Sequence, residues 1–140
     1  MLPPDRESRL PRKRYLHSLA MGAIFAVFAT ASLAGGTLSL RLHYPMVCGQ
    51  PGRGPLVVSL PAALRVAARP RVHVRGAMRP AALHGTTLII QLPKPPQLTC
   101  MSSTEGTLPV TVSTVRAPAG TYVVRARIDR HAFTTSLHVR

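Results

Sequence analysis

The sequence predicts a small all-β domain, a sandwich of about seven strands, that follows one apolar segment near the N-terminus. Two observations predict it. From Tyr44 onward, short runs rich in Val, Ile, Leu and Thr are interrupted by Pro and Gly, with little amphipathic helical periodicity. Before that point, residues 15–40 contain no Asp, Glu, Lys or Arg. A chain of 140 residues has room for one such domain.

Six strands are predicted from these runs, with a seventh near residues 38–44. The six ranges are 55–60, 71–75, 86–92, 107–115, 121–128 and 132–139. Pro61 and Pro93 each follow an apolar run and are expected to end a strand, because proline has no backbone N–H to pair with a neighbour. Residues 62–68 are predicted to form a short helical turn.

Period-two alternation in the last two predicted strands separates an inward from an outward face. The residues expected to face the core are Tyr122, Val124, Ala126, Ile128, Phe133, Thr135, Leu137 and Val139. The outward positions include Arg125, Arg127 and His138. The domain is therefore expected to present a solvated, basic face.

The N-terminal part is predicted to direct the domain across a membrane. Residues 1–14 form a basic cytoplasmic tail, residues 15–40 a transmembrane anchor or signal segment, and residues 41–140 the extracytoplasmic domain. As a helix, residues 15–40 would extend about 39 Å, enough for a hydrocarbon core of about 30 Å. Because basic residues stay on the cytoplasmic side, we expect a single-pass protein of the cell membrane with its C-terminal domain outside.

Cleavage of this segment is the alternative. Gly35 and Gly36 would weaken a helix after Ala34, and Ser32 and Ala34 place small residues where a signal peptidase reads the chain. Cleavage near Ala34 would release the domain as a secreted protein.

The two cysteines, Cys48 and Cys100, lie in the part that is predicted to be exported. Thiols are oxidised there, so a Cys48–Cys100 disulfide is the expected pairing. It would close a loop of about 53 residues and stabilise the fold by about 4 kcal/mol in the chain-entropy model. The alternative is a metal or redox pair, which usually has C-x-x-C spacing.

The chain has 18 Lys and Arg against four Asp and Glu, a formal net charge of +14. Such a surface attracts polyanions, for example phospholipid headgroups, anionic wall polymers or nucleic acid. Arg71, Arg75, Arg125 and Arg127 are the candidate binding residues, since they occupy outward positions of predicted strands. The alternative is that the arginines reflect genomic base composition, because Ala, Gly and Pro are plentiful too.

Residues 119–124, Ala-Gly-Thr-Tyr-Val-Val, resemble the tyrosine corner that opens the penultimate strand of immunoglobulin-like sandwiches, and residues 133–139 resemble their closing strand. The resemblance implies that Tyr122 packs at a sheet corner with its hydroxyl bonded to nearby backbone. The chain lacks Trp, and Val124 stands where antibody domains carry Cys. It therefore resembles a generic bacterial immunoglobulin-like module, a class used for spacing, adhesion or protein binding.

A narrower resemblance is to exported copper-binding sandwiches of the CopC type. These also close with a Gly-Thr-Tyr strand, an Asp-x-His turn and a last strand that contains Phe, the order found here at residues 120–122, Asp129, His131 and Phe133. The resemblance implies that Asp129 and His131 are copper ligands. The family's histidine at the mature N-terminus has no counterpart in this chain. The other interpretation of Asp129 and His131 is that they are ordinary turn residues.

No catalytic motif is present. The part predicted to be exported contains only two carboxylates, Glu105 and Asp129, and no G-x-S-x-G motif or catalytic Cys–His arrangement. We expect no enzymatic activity, no cofactor and no small-molecule substrate. Three functions remain: a membrane-anchored module with a structural or protein-interaction role in the cell envelope, a basic domain that binds an anionic polymer or phospholipid surface, and an exported copper-binding protein.

Overall fold

The computed structural model describes residues 26–94 and 101–140, and within them the chain is built of β-strands and turns without a helix. The strands are β1 (Phe28–Ala34), β2 (Thr37–Val47), β3 (Leu56–Ser59), β4 (Arg65–Val66), β5 (Val72–Val74), β6 (Ala77–Arg79), β7 (Ala81–His84), β8 (Thr87–Ile90), β9 (Ser103–Ser113), β10 (Val115–Arg116), β11 (Gly120–Ile128) and β12 (His131–Val139). The all-β prediction is confirmed. Instead of about seven strands, however, the described residues form twelve.

Two five-stranded antiparallel sheets form a sandwich. The first sheet has the order β1-β2-β9-β5-β6 and the second the order β12-β11-β3-β8-β7, while β4 and β10 form a separate two-stranded sheet. At one edge of the sandwich, β1 of the first sheet packs against β12 of the second. β4 and β10 lie in segments that connect one five-stranded sheet to the other.

The core lies between the two sheets and is made by alternate residues of each strand, because successive side chains of a strand point to opposite faces. In β11 and β12 the predicted inward residues Val124, Ile128, Phe133 and Leu137 are buried, so the predicted facing of these strands is confirmed. The first sheet contributes Leu38, Leu40, Leu42, Tyr44, Met46, Val72, Val74, Leu108, Val110 and Val112.

Residues 28–40, the second half of the predicted membrane segment, form strands rather than a helix. β1 and β2 pair as a hairpin whose turn is Gly35–Gly36, with φ of 58° and 76°, the left-handed conformation that a two-residue hairpin turn requires. Leu38 and Leu40 are 0% and 1% exposed because they alternate with polar residues and point into the sandwich. For residues 28–40 the helical prediction is therefore wrong. Residues 1–25 lie outside the described residues.

The predicted domain boundary also changes. Residue 41 lies inside β2, an uninterrupted strand, and β1 packs on the same core through Ala29, Ala31 and Leu33. The sandwich therefore includes residues from Phe28 onward. Among the described residues, no helix has the length and apolarity needed to cross a membrane.

The short helical turn predicted for residues 62–68 is wrong. The N–H of Leu64 donates to the carbonyl of Pro61 at 3.0 Å, which closes a turn, and the chain then enters β4. Pairing with β10 extends the backbone at Arg65 and Val66, so tertiary contact replaces the local helical preference.

Candidate functional site

The four arginines predicted to bind anions lie on opposite faces of the sandwich. Arg125 and Arg127 are exposed on β11, on the outer face of the second sheet. Arg71 and Arg75 flank β5. Arg71 is exposed on the outer side of the first sheet, since the strand buries Val72, whereas the guanidinium of Arg75 lies against the buried Met46. The structure therefore places Arg125 and Arg127 on one face and does not join them with Arg71 or Arg75.

Arg75 has a structural role in addition. It lies with Gly76 in the tight turn between β5 and β6 and has a positive φ of 54°. Its guanidinium donates to the carbonyl of Gly49 at 2.8 Å and lies 3.2 Å from the sulfur of Met46. These contacts hold the loop that follows β2, so Arg75 is less available to an external anion than Arg71.

A further arginine pair was not among the predicted site residues. Arg65 and Arg116 are Cα partners in the antiparallel β4–β10 pair, and both side chains are exposed. Each follows a buried residue, Leu64 and Val115 respectively. That apolar–Arg pattern is visible in the sequence, but the pairing of two such distant positions is not.

The two carboxylates of the described residues are already engaged. Asp129 accepts hydrogen bonds from the backbone N–H groups of Arg53 at 3.2 Å and Gly54 at 2.9 Å. Glu105 accepts one from the N–H of Ala26 at 3.0 Å, and its other oxygen lies 3.4 Å from Nε2 of His43.

The N–H of Ala26 and the imidazole of His43 lower the pKa of Glu105. Among the described residues, the contact between His43 and Glu105 is the only one within salt-bridge distance, and it is an ion pair only when the imidazole is protonated. Consequently no Lys or Arg side chain in this part of the chain is paired with a carboxylate.

The residues that resemble a copper site hold a loop in place. Asp129 binds the backbone of the loop that follows Cys48, as described above, and His131 lies against the ring of Tyr44 with 5.3 Å between ring centroids. The hydroxyl of Tyr44 donates to the carbonyl of Pro51 at 2.7 Å, and burial raises the pKa of Tyr44 above its usual range. No cluster of three His, Cys, Asp or Glu side chains suited to a metal ion occurs in residues 26–94 and 101–140. Copper binding is not confirmed.

Tyr122 makes the contact that was expected of a tyrosine corner. Its side chain is half-buried against the core, and its hydroxyl donates to the carbonyl of Pro118 at 2.7 Å. Gly120 lies beneath the ring, where a Cβ would come within 3.3 Å of the hydroxyl oxygen. This is a local feature, and membership of an immunoglobulin-like family is not confirmed by it.

The predicted disulfide involves a residue outside the described part of the chain, Cys100. Cys48 lies in the turn after β2, and its N–H donates to the carbonyl of Ser102 at 3.0 Å. The backbone of Cys48 is thus hydrogen-bonded to Ser102, which is two positions after Cys100 in the sequence. The disulfide stays a prediction, and this hydrogen bond favours it.

A shallow pocket opens on the outer face of the second sheet, with a volume of about 190 Å³. The residues that line it are Ser59, Leu60, Pro61, Val123 and Arg125. It combines an apolar wall with one hydroxyl and one guanidinium.

Comparisons with known proteins show likeness in solved structures only. No family model and no curated protein matches the chain. The crystal structure of BslA, a bacterial hydrophobin, is similar with a TM-score of 0.49 and 19% identity, over 82% of this chain and 98% of that one. The N-terminal domain of PorA is similar with a TM-score of 0.26 and 6% identity, over 83% of this chain and 90% of that one. Neither likeness assigns a function to this chain.

Proposed function

We propose that this protein is a non-catalytic binding module of the cell envelope that works outside the cytoplasm and binds an anionic polymer or phospholipid surface. One observation carries the proposal: in the described residues no Lys or Arg is paired with a carboxylate, because Glu105 and Asp129 bind backbone N–H groups and His43 instead. A sandwich with this charge balance attracts anions from solution, and an anionic partner supplies the missing negative charges.

The placement of the arginines supports a polymer or an extended surface over a small ligand. Exposed arginines occur on both outer faces and on the connecting strands, including Arg41, Arg71, Arg116, Arg125 and Arg127. A polymer that bends around the domain contacts several of these at once, and a flat surface contacts those of one face; either releases bound counterions, whereas a small anion contacts one or two.

The test is salt-dependent retention of the purified full-length chain on anionic vesicles and on a polyphosphate matrix. Binding is expected at about 50 mM salt and should be lost by about 200 mM, since counterion release makes such affinities fall steeply with salt. Vesicles of a neutral phospholipid are the control. If the chain ignores both anionic probes at low salt, or binds neutral vesicles equally well, an anionic partner is excluded.

Export of the domain is the second part of the proposal. With residues 28–40 in the sandwich, the charge-free stretch before β1 is residues 15–27. As a helix it would extend about 20 Å, a length within the range of the apolar core of a signal sequence. A membrane-impermeant amine reagent applied to intact cells should label Lys94. Failure to label it, while a known external protein is labelled, would contradict export.

Intact-mass measurement distinguishes the fates of this segment. Cleavage near Ala34 would remove β1 and expose the pairing edge of β2. A stretch of about 20 Å is too short to span a hydrocarbon core of about 30 Å as an anchor, so we expect the mature chain to begin before Phe28. A mature protein that begins at Gly35 would show that the sandwich functions without its edge strand.

Protein interaction is the second candidate function, and the outer face of the second sheet favours it. Val123 on β11 is 49% exposed beside Arg125 and lines the shallow pocket. An exposed apolar residue next to an arginine is typical of interface centres. A photo-crosslinker at position 123 should then give one adduct in intact cells that persists at high salt, while a crosslinker at the exposed Thr30 of the first sheet should not. Equal labelling from both positions would argue against such an interface.

A further inference from the structure

We propose that Arg65 and Arg116 form a specific site for a phosphate group, located on the two-stranded sheet β4–β10. The proposal rests on the anionic partner proposed above and names the group that is recognised and the residues that recognise it. The two arginines face each other across the strands as Cα partners. Like charges directly opposite one another are unfavourable in a sheet, and a bound anion removes that repulsion.

The backbone holds both arginines in defined positions. Leu64 and Val115, which precede them, are buried in the core, and the N–H of Val115 donates to the carbonyl of Gly36 at 2.8 Å. Because side chains alternate along a strand, burial of the preceding residues directs both guanidinium groups outward on the same side. Only the side chains have to be ordered when an anion binds.

A third cation is attached to the same region. The carbonyl of Arg71 accepts a hydrogen bond from the N–H of Ser113 at 2.9 Å, three residues before Arg116. Arg71 is exposed and has no acidic partner. It adds positive charge at the end of the sandwich where β4 and β10 lie.

The side-chain carboxylates of the described residues lie at the other end of the sandwich. Glu105 lies near the start of β9, and Arg116 comes three residues after Ser113, the last residue of that strand. The eight steps from Glu105 to Ser113 extend about 27 Å as a strand. Asp129 follows the last residue of β11, whose first residue is near β10. These distances exceed the screening length of about 8–10 Å in physiological salt, so neither carboxylate offsets the arginine pair.

The geometry favours phosphate over carboxylate. Directly opposed residues in an antiparallel pair have Cβ atoms about 5 Å apart, so two guanidinium forks can converge on one group. Each fork binds two oxygen atoms. A tetrahedral phosphate presents a separate pair of oxygens to each fork, whereas a carboxylate has two oxygens, and a second fork has to share those that the first already binds. Arginine rather than lysine at both positions fits this bidentate recognition.

The experiment is a calorimetric titration of the full-length chain with inorganic tripolyphosphate at low salt. The double variant Arg65→Gln/Arg116→Gln should bind at least about tenfold more weakly, and the slope of log affinity against log salt should become shallower. The matched control Arg53→Gln/Arg130→Gln removes the same charge from exposed positions beside Asp129, at the other end of the sandwich, and should change affinity less than about twofold. The variant Arg65→Lys/Arg116→Lys keeps the charge but not the forks, and it should also lose affinity.

The outcomes separate the site from the general function. Equal weakening in both Gln double variants, or full affinity in the Lys variant, would overturn the site while leaving diffuse anion binding intact. Absence of binding by the wild-type chain to any anionic probe would overturn both. Competition between tripolyphosphate and phosphatidylglycerol vesicles for the chain shows whether the site prefers a lipid headgroup or a soluble or polymeric phosphate. Equal affinity for the tricarboxylate citrate would overturn the preference for phosphate over carboxylate. The Gln variant should melt no lower than wild type, because it removes a repulsion.

Discussion

Replacing Tyr44 with Phe is expected to destabilise the domain by about 1–2 kcal/mol. The Tyr44 side chain is 1% exposed, and its hydroxyl donates to the carbonyl of Pro51 at 2.7 Å. The substitution keeps the ring and its edge contact with Phe133, so no cavity forms. It leaves the carbonyl of a buried proline without a donor, and that desolvated acceptor is the source of the cost. For a domain of this size the melting temperature should fall by about 4–8 °C.

Tyr122→Phe is the matched control. Its hydroxyl makes a bond of the same length, 2.7 Å, to another proline carbonyl, but Pro118 is exposed and water can replace the lost donor. We expect a cost below about 0.5 kcal/mol. Calorimetric melting and urea unfolding at neutral pH measure the stability of both variants. The slope of unfolding free energy against urea concentration should be unchanged, which shows that the same unfolding transition is compared. If Tyr122→Phe costs as much as Tyr44→Phe, burial does not set the energy of these bonds.

Three further predictions concern the loop, the pH dependence and the cysteines. Gly52→Ala should destabilise the domain by about 2 kcal/mol or more, because φ is +149° and the new Cβ would lie 2.5 Å from a carboxylate oxygen of Asp129. The control Gly85→Ala has φ +62° but open space around it, and it should cost about 1 kcal/mol in the same melting assay. Because the pKa of Glu105 is lowered in the folded state, this carboxylate contributes stability that is complete above pH 4.5, its ordinary pKa, and is lost as the pH falls through the folded-state pKa. Glu105→Gln should therefore reduce the fall in melting temperature between these two pH values. An unchanged fall would contradict this. Without reduction, an alkylating reagent should leave Cys48 and Cys100 unmodified. Reduction should lower the free energy of unfolding in urea by about 4 kcal/mol. Alkylation of both cysteines in the unreduced protein would exclude the disulfide.

The facing of the C-terminal strands could be predicted from the sequence because their alternation is local and strong. Val124 and Arg125 differ so much in hydropathy that only one face of β11 can be buried. In residues 28–34, small residues such as Ala29, Thr30 and Ser32 carry weak alternation, and the stretch is compatible with both a helix and a strand. The signals that decide for a hairpin were the glycine pair at 35–36 and the polar positions between the leucines of β2.

The candidate site depended on contacts that no local pattern encodes. Asp129 and His131 resemble metal ligands in sequence, but their partners come from the loop after Cys48, many residues away. Likewise, Arg65 and Arg116 are unremarkable in sequence, and only the register of β4 against β10 makes them neighbours.

By itself, the sequence determined the all-β class, the excess of positive charge and the inward residues of the strongly alternating strands, since each depends on composition or on the side-chain period within one segment. The tertiary structure decided that residues 28–40 belong to the sandwich, that the carboxylates are engaged away from the arginines, and which arginines face one another. The physical reason is that strand pairing couples residues far apart in the chain, and its register follows from burying all the strands in one core.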